Sequence, residues 1–179
     1  MIWESTPWKI SLIHLSEVVT DKIEQVRWYE SSFAKLEQTV MLGFYSVRKL
    51  IESKKLSDDA MYSDVQLLTW KAKGRDINLF NWHQIDRLYD LRKATKQTRK
   101  LQFVANQIIH SFVFHPIMRD EKRVKGIAFN SDRTKDTELY YLDLSQIAEI
   151  FRIVGRDNPR RGKYIKSNGQ FFVNLESDL

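Results

Sequence analysis

The chain has 179 residues, is 42% hydrophobic and 29% charged, and holds only six Gly and three Pro, a balance that excludes a disordered or low-complexity chain and fits a single domain over residues 1–179. The absence of cysteine excludes a disulfide scaffold, a thiolate metal site and a cysteine nucleophile, and fits a reducing, cytoplasmic setting. No apolar run of ~18 residues occurs, and Met1–Glu4 lacks a basic segment followed by an apolar one, so neither a membrane span nor a signal peptide is expected.

Residues 1–15 read as an N-terminal extension. From Ser16 to about Ser53 no Pro intervenes, and Val19, Ile23, Val26, Phe33, Leu36, Val40, Phe44, Val47 and Ile51 recur at helical steps. This predicts one long helix, or two collinear ones kinked at Gly43, with Ser16 as N-cap and Lys54 and Lys55 at the negative end of the dipole. Ser57-Asp58-Asp59 predicts the cap of a short helix, and Val65–Trp70 a strand. Asn81 with Gln84 has the reciprocal-cap spacing ahead of a helix carrying Ile85, Leu88 and Leu91.

The spacing next predicts a helix from about Thr95 to Phe112. Leu101, Val104, Ala105, Ile108, Ile109 and Phe112 form its apolar face, while Arg99, Asn106 and His110 share the opposite one. Residues 112–118, 124–130 and 138–142 are rich in β-branched and aromatic side chains and predict an antiparallel meander. Asp143 with Gln146 caps a last helix, stopped by Gly155 and Pro159. In the basic tail, 158–179, Ser167-Asn168-Gly169 between Tyr164–Lys166 and Phe171–Val173 predicts a hairpin. The expected fold is α+β: mainly a helical bundle with a long N-terminal helix, plus a small antiparallel meander and hairpin.

The net charge of +6 is unevenly spread. Residues 65–130 hold 13 Lys and Arg against 5 Asp and Glu, and Arg92, Lys93, Lys96, Arg99 and Lys100 run without an acid. A second cluster includes Arg160, Arg161 and Lys163. Either attracts a phosphate backbone, so RNA or another nucleic acid is the expected partner, although the same runs also fit solvated faces. Walker, GxGxxG and GxSxG motifs are missing, and the four histidines have no metal-ligand spacing, so neither a cofactor nor a metal is expected.

Asn106 and His110 stand four residues apart on one helix face and reach the same atom or each other. An imidazole can take the proton of a ribose 2′-hydroxyl while nearby cations stabilise a phosphorane, which is the chemistry of a metal-independent RNase. A polar pair that satisfies buried groups between helices gives the same pattern.

Three segments carry a resemblance: Arg48–Asp58, Asn106–Ser111 followed by Phe112–Phe114, and Ser131-Asp132 followed by Tyr140–Asp143. They resemble a group of bacterial proteins whose helical layout is similar to the HEPN superfamily, many of whose members are metal-independent RNases of toxin–antitoxin and other defence systems. That family's pattern is an Arg, often followed by a polar residue, then a His after four to six intervening residues. By resemblance Asn106 takes the polar position and His110 the catalytic one. The Arg position falls on Ala105, leaving Arg48, which can pair with Glu52, or Arg99 as the cation. HEPN domains commonly dimerise through the motif helices, so a homodimer in which the partner chain supplies the cation is also implied. The resemblance thus implies an endoribonuclease with His110 as acid/base, Asn106 positioning the substrate and Arg48 stabilising charge. The alternative is a catalytically inactive module that binds nucleic acid or a protein partner.

Overall fold

The structure, a computed structural model, describes the backbone of residues 1–167 and 170–177, and the side chains of 1–159, 175 and 176. Pro7 in the first turn starts α1 at Thr6, so residues 6–15 are helical and Ser16 is not a cap. Ser16 lies buried inside α1 (Thr6–Ile23), its hydroxyl donating to the Ile13 carbonyl at 2.6 Å. The expected long helix from 16 to 53 is broken at residues 24–29, and α2 spans Glu30–Glu52. At the break the Trp28 indole N–H donates to the Gln25 carbonyl at 2.8 Å, and its ring stacks on Phe33 at 4.9 Å. Periodicity hides the interruption because Val26 falls on the apolar stripe, yet it is 47% exposed. Gly43 lies inside α2 without interrupting it. It admits the ring of Phe151, which a Cβ at that position would overlap.

After the short α3 (Asp58–Met61), capped by Ser57, come β1 (Asp64–Lys71), α4 (Ile85–Leu88), β2 (Thr95–Lys100), α5 (Leu101–Ile109), β3 (Ser111–Met118), β4 (Val124–Ser131), β5 (Glu138–Asp143) and α6 (Leu144–Arg156). Strands β1 to β5 form one antiparallel sheet in the order β2-β1-β5-β4-β3. This corrects the expected bundle with a small meander: among the described residues a five-stranded sheet organises the α+β fold and is covered on both faces.

One face carries Val65, Leu67, Ile127, Phe129, Tyr140 and Leu142, packed against α1, α2, α5 and α6. The other carries Val113, Ala128 and Leu139, packed under Ile77, Ile85, Leu88 and Tyr89 from the segment that includes α4. Asn81 does not cap that four-residue helix; its carboxamide oxygen accepts from the Asn78 N–H at 2.9 Å and its Nδ2 donates to the Asp76 carbonyl at 2.8 Å, forming a turn ahead of it.

The predicted helix from 95 to 112 is the second correction. Residues 95–100 form β2, paired with β1 from Asp64↔Lys100 to Thr69↔Thr95. As an edge strand β2 has no alternating apolar pattern to betray it, and its Lys and Arg side chains blunt the open edge. Helix α5 then runs ~13.5 Å across the helical side of the sheet and delivers the chain from the edge strand β2 to the opposite edge, β3. Asp143 and Gln146 do form the reciprocal cap of α6. The C-terminal strands β6 (Pro159–Ser167) and β7 (Gln170–Ser177) pair antiparallel; the Asn168-Gly169 turn lies outside the described residues.

Candidate functional site

Arg48 lies in the last two turns of α2, and His110 is the C-cap residue of α5. The packing of these helices places Arg48 Nη1 2.8 Å from His110 Nε2, although 62 positions separate them in sequence. A guanidinium has no lone pair, so it donates and Nε2 accepts, which assigns the ring proton to Nδ1. Behind Arg48, Glu52 Oε1 accepts from Nε at 2.6 Å, and Lys49 Nζ donates to the other oxygen at 3.1 Å. The Arg48 hydrogen bond, helped by that from Lys49, holds the Glu52 carboxyl below its ordinary range. The carboxylate thereby fixes the plane of the guanidinium that meets the imidazole.

Phe103, Asn106 and His110 follow one another at helical steps on α5 and line one wall of a cleft of about 630 Å³. Arg48 from α2, Gln107, and Ser131, Asp132 and Arg133 from the end of β4 and the turn after it complete the lining. That turn is held by Gln107, a buried residue whose Oε1 accepts from the Ser131 N–H at 2.9 Å and from the Thr134 hydroxyl at 2.7 Å. Asp132 is tied to Lys135 at 2.8 Å, whereas Arg133 is exposed. Asn106 lines the cleft, and its carboxamide oxygen is buried without a hydrogen-bond partner among the described residues. Two arginines and an imidazole around one cavity are groups that can hold an anion and exchange a proton beside it.

Arg48, Asn106 and His110 are therefore brought together. The basic run is not, because it belongs to a loop and an edge strand instead of one helix face. Arg92 lies 3.6 Å from Asp90. Lys93 is exposed in the turn before β2. Lys96 faces a separate hollow lined by Gln66, Tyr141 and Asp143. Lys100 is paired with Asp64 at 2.7 Å. Arg99 comes nearest the cleft: it sits 5.1 Å over the ring of Phe103 and 4.0 Å from Glu138. The side chains of Arg160, Arg161 and Lys163 lie outside the described residues, with only their backbone placed on β6.

Sequence reasoning gave no role to Gln107, Asp132 or Arg133, although Gln107 and Asp132 lie in segments that carry the resemblance. Gln107 left a signal, a polar residue bordering the apolar stripe at Val104 and Ile108, where burial demands a partner. Arg133 left none, since its place depends on the turn that Gln107 holds. Among the described residues no group of three or more His, Cys, Asp or Glu could hold a metal ion, and no helix is long and apolar enough to cross a membrane. Comparison of the chain with family models, with curated proteins and with solved structures finds no match.

Proposed function

We propose that the cleft binds a phosphodiester of RNA and that the protein is a metal-independent, cytoplasmic endoribonuclease, using an Arg–His pair of the kind its HEPN resemblance implies. The contact of Arg48 with His110 at 2.8 Å carries this reading. On this reading Arg48, from the chain's own second helix, takes the place of the cation that the local motif lacks at Ala105.

In the resting site the Nε2 lone pair is occupied by Arg48. A phosphate oxyanion between Arg48 and Arg133 draws the guanidinium towards itself and frees Nε2, which takes the proton of the ribose 2′-hydroxyl. O2′ forms its bond to phosphorus, the bond from phosphorus to O5′ breaks, and O5′ takes a proton from a water molecule that the His110 imidazolium reprotonates, leaving a 2′,3′-cyclic phosphate, a 5′-hydroxyl and the neutral imidazole. The arginines stabilise the negative charge on the phosphorane, and the Asn106 carboxamide, which lines the cleft, positions the ribose.

The test is incubation of end-labelled single-stranded RNA with the purified protein in excess chelator, with product ends identified by their sensitivity to phosphatase and to acid. Cyclic-phosphate ends from the wild type, and rates lowered ~10²–10⁴-fold by His110→Ala, are expected. Equal cleavage by His110→Ala and wild type overturns the reading. Occupation of Nε2 by Arg48 also favours a second reading, a module that binds RNA or a protein partner without cutting; salt-dependent RNA binding with intact strands selects it. A role in a toxin or defence system, and a homodimer, are proposed on the resemblance alone.

A further inference from the structure

Seven of the eight residues lining the cleft are polar or charged; Phe103 is the exception. It stands two helical turns before His110 on the same wall, ~10.5 Å away along the axis, a separation that the ribose and base of one nucleotide can bridge. Its ring is held in place: Tyr140 meets it edge-on at 5.4 Å and 88°, and the Arg99 guanidinium lies over it at 5.1 Å. Arg99 is fixed in turn by Glu138, which accepts from Gln97 Nε2 at 2.9 Å. Residues 97 and 99 pair with Leu67 and Val65, whose side chains face the helices, so this cluster lies on the cleft's side of the sheet.

We propose that Phe103, backed by Arg99, is a platform on which an unpaired nucleobase stacks beside the phosphate held by Arg48 and Arg133, so that the substrate is single-stranded RNA. This rests on the phosphodiester reading of the cleft. Aromatic rings and arginine planes are the surfaces on which splayed bases stack, and every base has a π-face, so the platform selects strandedness and not sequence. In a duplex the bases are stacked on one another and do not reach the wall of a cleft. Core packing is the competing account, since Phe103 also touches the helical core, and it predicts no dependence on the base.

The experiment is equilibrium binding, read by fluorescence anisotropy, of three labelled probes: a 2′-fluoro oligouridine, which cannot be cut; an abasic strand of the same length; and the oligouridine paired with its complement. Stacking on an aromatic residue is worth about tenfold in affinity per base. The wild type is expected to bind oligouridine about tenfold tighter than the abasic strand, and the duplex more weakly than oligouridine. Phe103→Leu is expected to bind oligouridine no better than the abasic strand, while Phe103→Trp keeps the preference. Arg99→Lys, which keeps the charge and loses the plane, is expected to reduce the preference without weakening the abasic strand. Arg48→Ala should weaken every probe. A wild type that binds base-bearing and abasic strands equally overturns the platform and leaves the phosphate site standing. So does a Phe103→Leu variant that loses the same factor on both. A wild type that binds none of the probes overturns the platform and the phosphodiester reading together.

Discussion

Two cavities of similar size flank α2 and differ in almost everything else. The cleft against α5 encloses about 630 Å³ and carries Arg48, Asn106, His110 and Arg133. The groove against α1 encloses about 540 Å³ and carries Trp8, Leu15, Val18 and Leu42, with His14 as its titratable lining residue. One helix supplies both, because Ser46, in the groove, and Arg48, in the cleft, are two residues and therefore ~200° apart around its axis. What separates them is the support behind the lining. Arg48 is held by Glu52, and the turn bearing Arg133 by Gln107, whereas the groove is shaped by packing such as Trp8 against Tyr45 at 6.3 Å. Preorganised polar groups cost stability, and on the proposed reading substrate binding offsets that cost.

The largest effects should therefore fall on the cleft. Arg48→Ala is expected to lower RNA cleavage ~10²–10³-fold, the range for loss of one stabilising donor, with little change in melting temperature because the side chain is partly exposed. Equal cleavage by this variant would make the two cavities functionally alike. Next comes Gln107→Leu, which strips the Ser131 N–H and the Thr134 hydroxyl of their shared acceptor. Leaving a buried donor unpaired costs ~1–3 kcal/mol, so thermal denaturation should show a loss of that order, accompanied by weaker RNA binding as the turn bearing Arg133 loosens. Gln107→Glu keeps an acceptor oxygen and is expected to recover part of the binding. Recovery of stability without recovery of binding would separate the turn from the site.

The sequence pointed to residues that line the cleft better than to the frame that assembles them. Asn106 and His110 were legible as a pair because four-residue spacing on α5 depends on local geometry alone, and that held although the helix proved half as long as expected. Strands β3, β4 and β5 and the cap at Asp143 were legible for the same reason, each resting on a local pattern. Strand β2 was not, since its Thr, Lys and Gln residues are as compatible with a helix as with a strand, and only pairing with β1 decides between them. The meeting of Arg48 with His110 is a tertiary fact. Sequence could offer Arg48 as a candidate through its spacing to Glu52, but helix packing alone sets the 2.8 Å.

Substitution in the groove should separate the cavities from the other side. Leu42 is exposed at the groove's rim, so Leu42→Gln is expected to change stability by no more than ~0.5 kcal/mol and to leave cleavage at the wild-type rate. A tenfold fall in cleavage would mean that α2 couples the groove to the cleft.

A small stability effect and the smallest loss of cleavage within the cleft belong to Glu52→Gln, and it bears on how the polar cavity is held. Because Arg48 and Lys49 hold the folded carboxyl below its ordinary value of 4.5, the pair contributes stability that is fully present above pH 4.5 and is lost as pH falls through the depressed folded value. The side chains are about a third exposed, so that contribution is ~0–1 kcal/mol and screened by salt. Orientation matters more than energy here, for a neutral carboxamide holds the Arg48 Nε edge less firmly than the charged carboxylate while Nη1 meets His110. Glu52→Gln is therefore expected to slow cleavage severalfold by a constant factor across neutral pH, and the variant and wild-type rates should converge only on the acid side of pH 4.5. Rates that are equal at neutral pH would show that helix packing alone orients Arg48, and that the polar cleft, like the apolar groove, is shaped by packing.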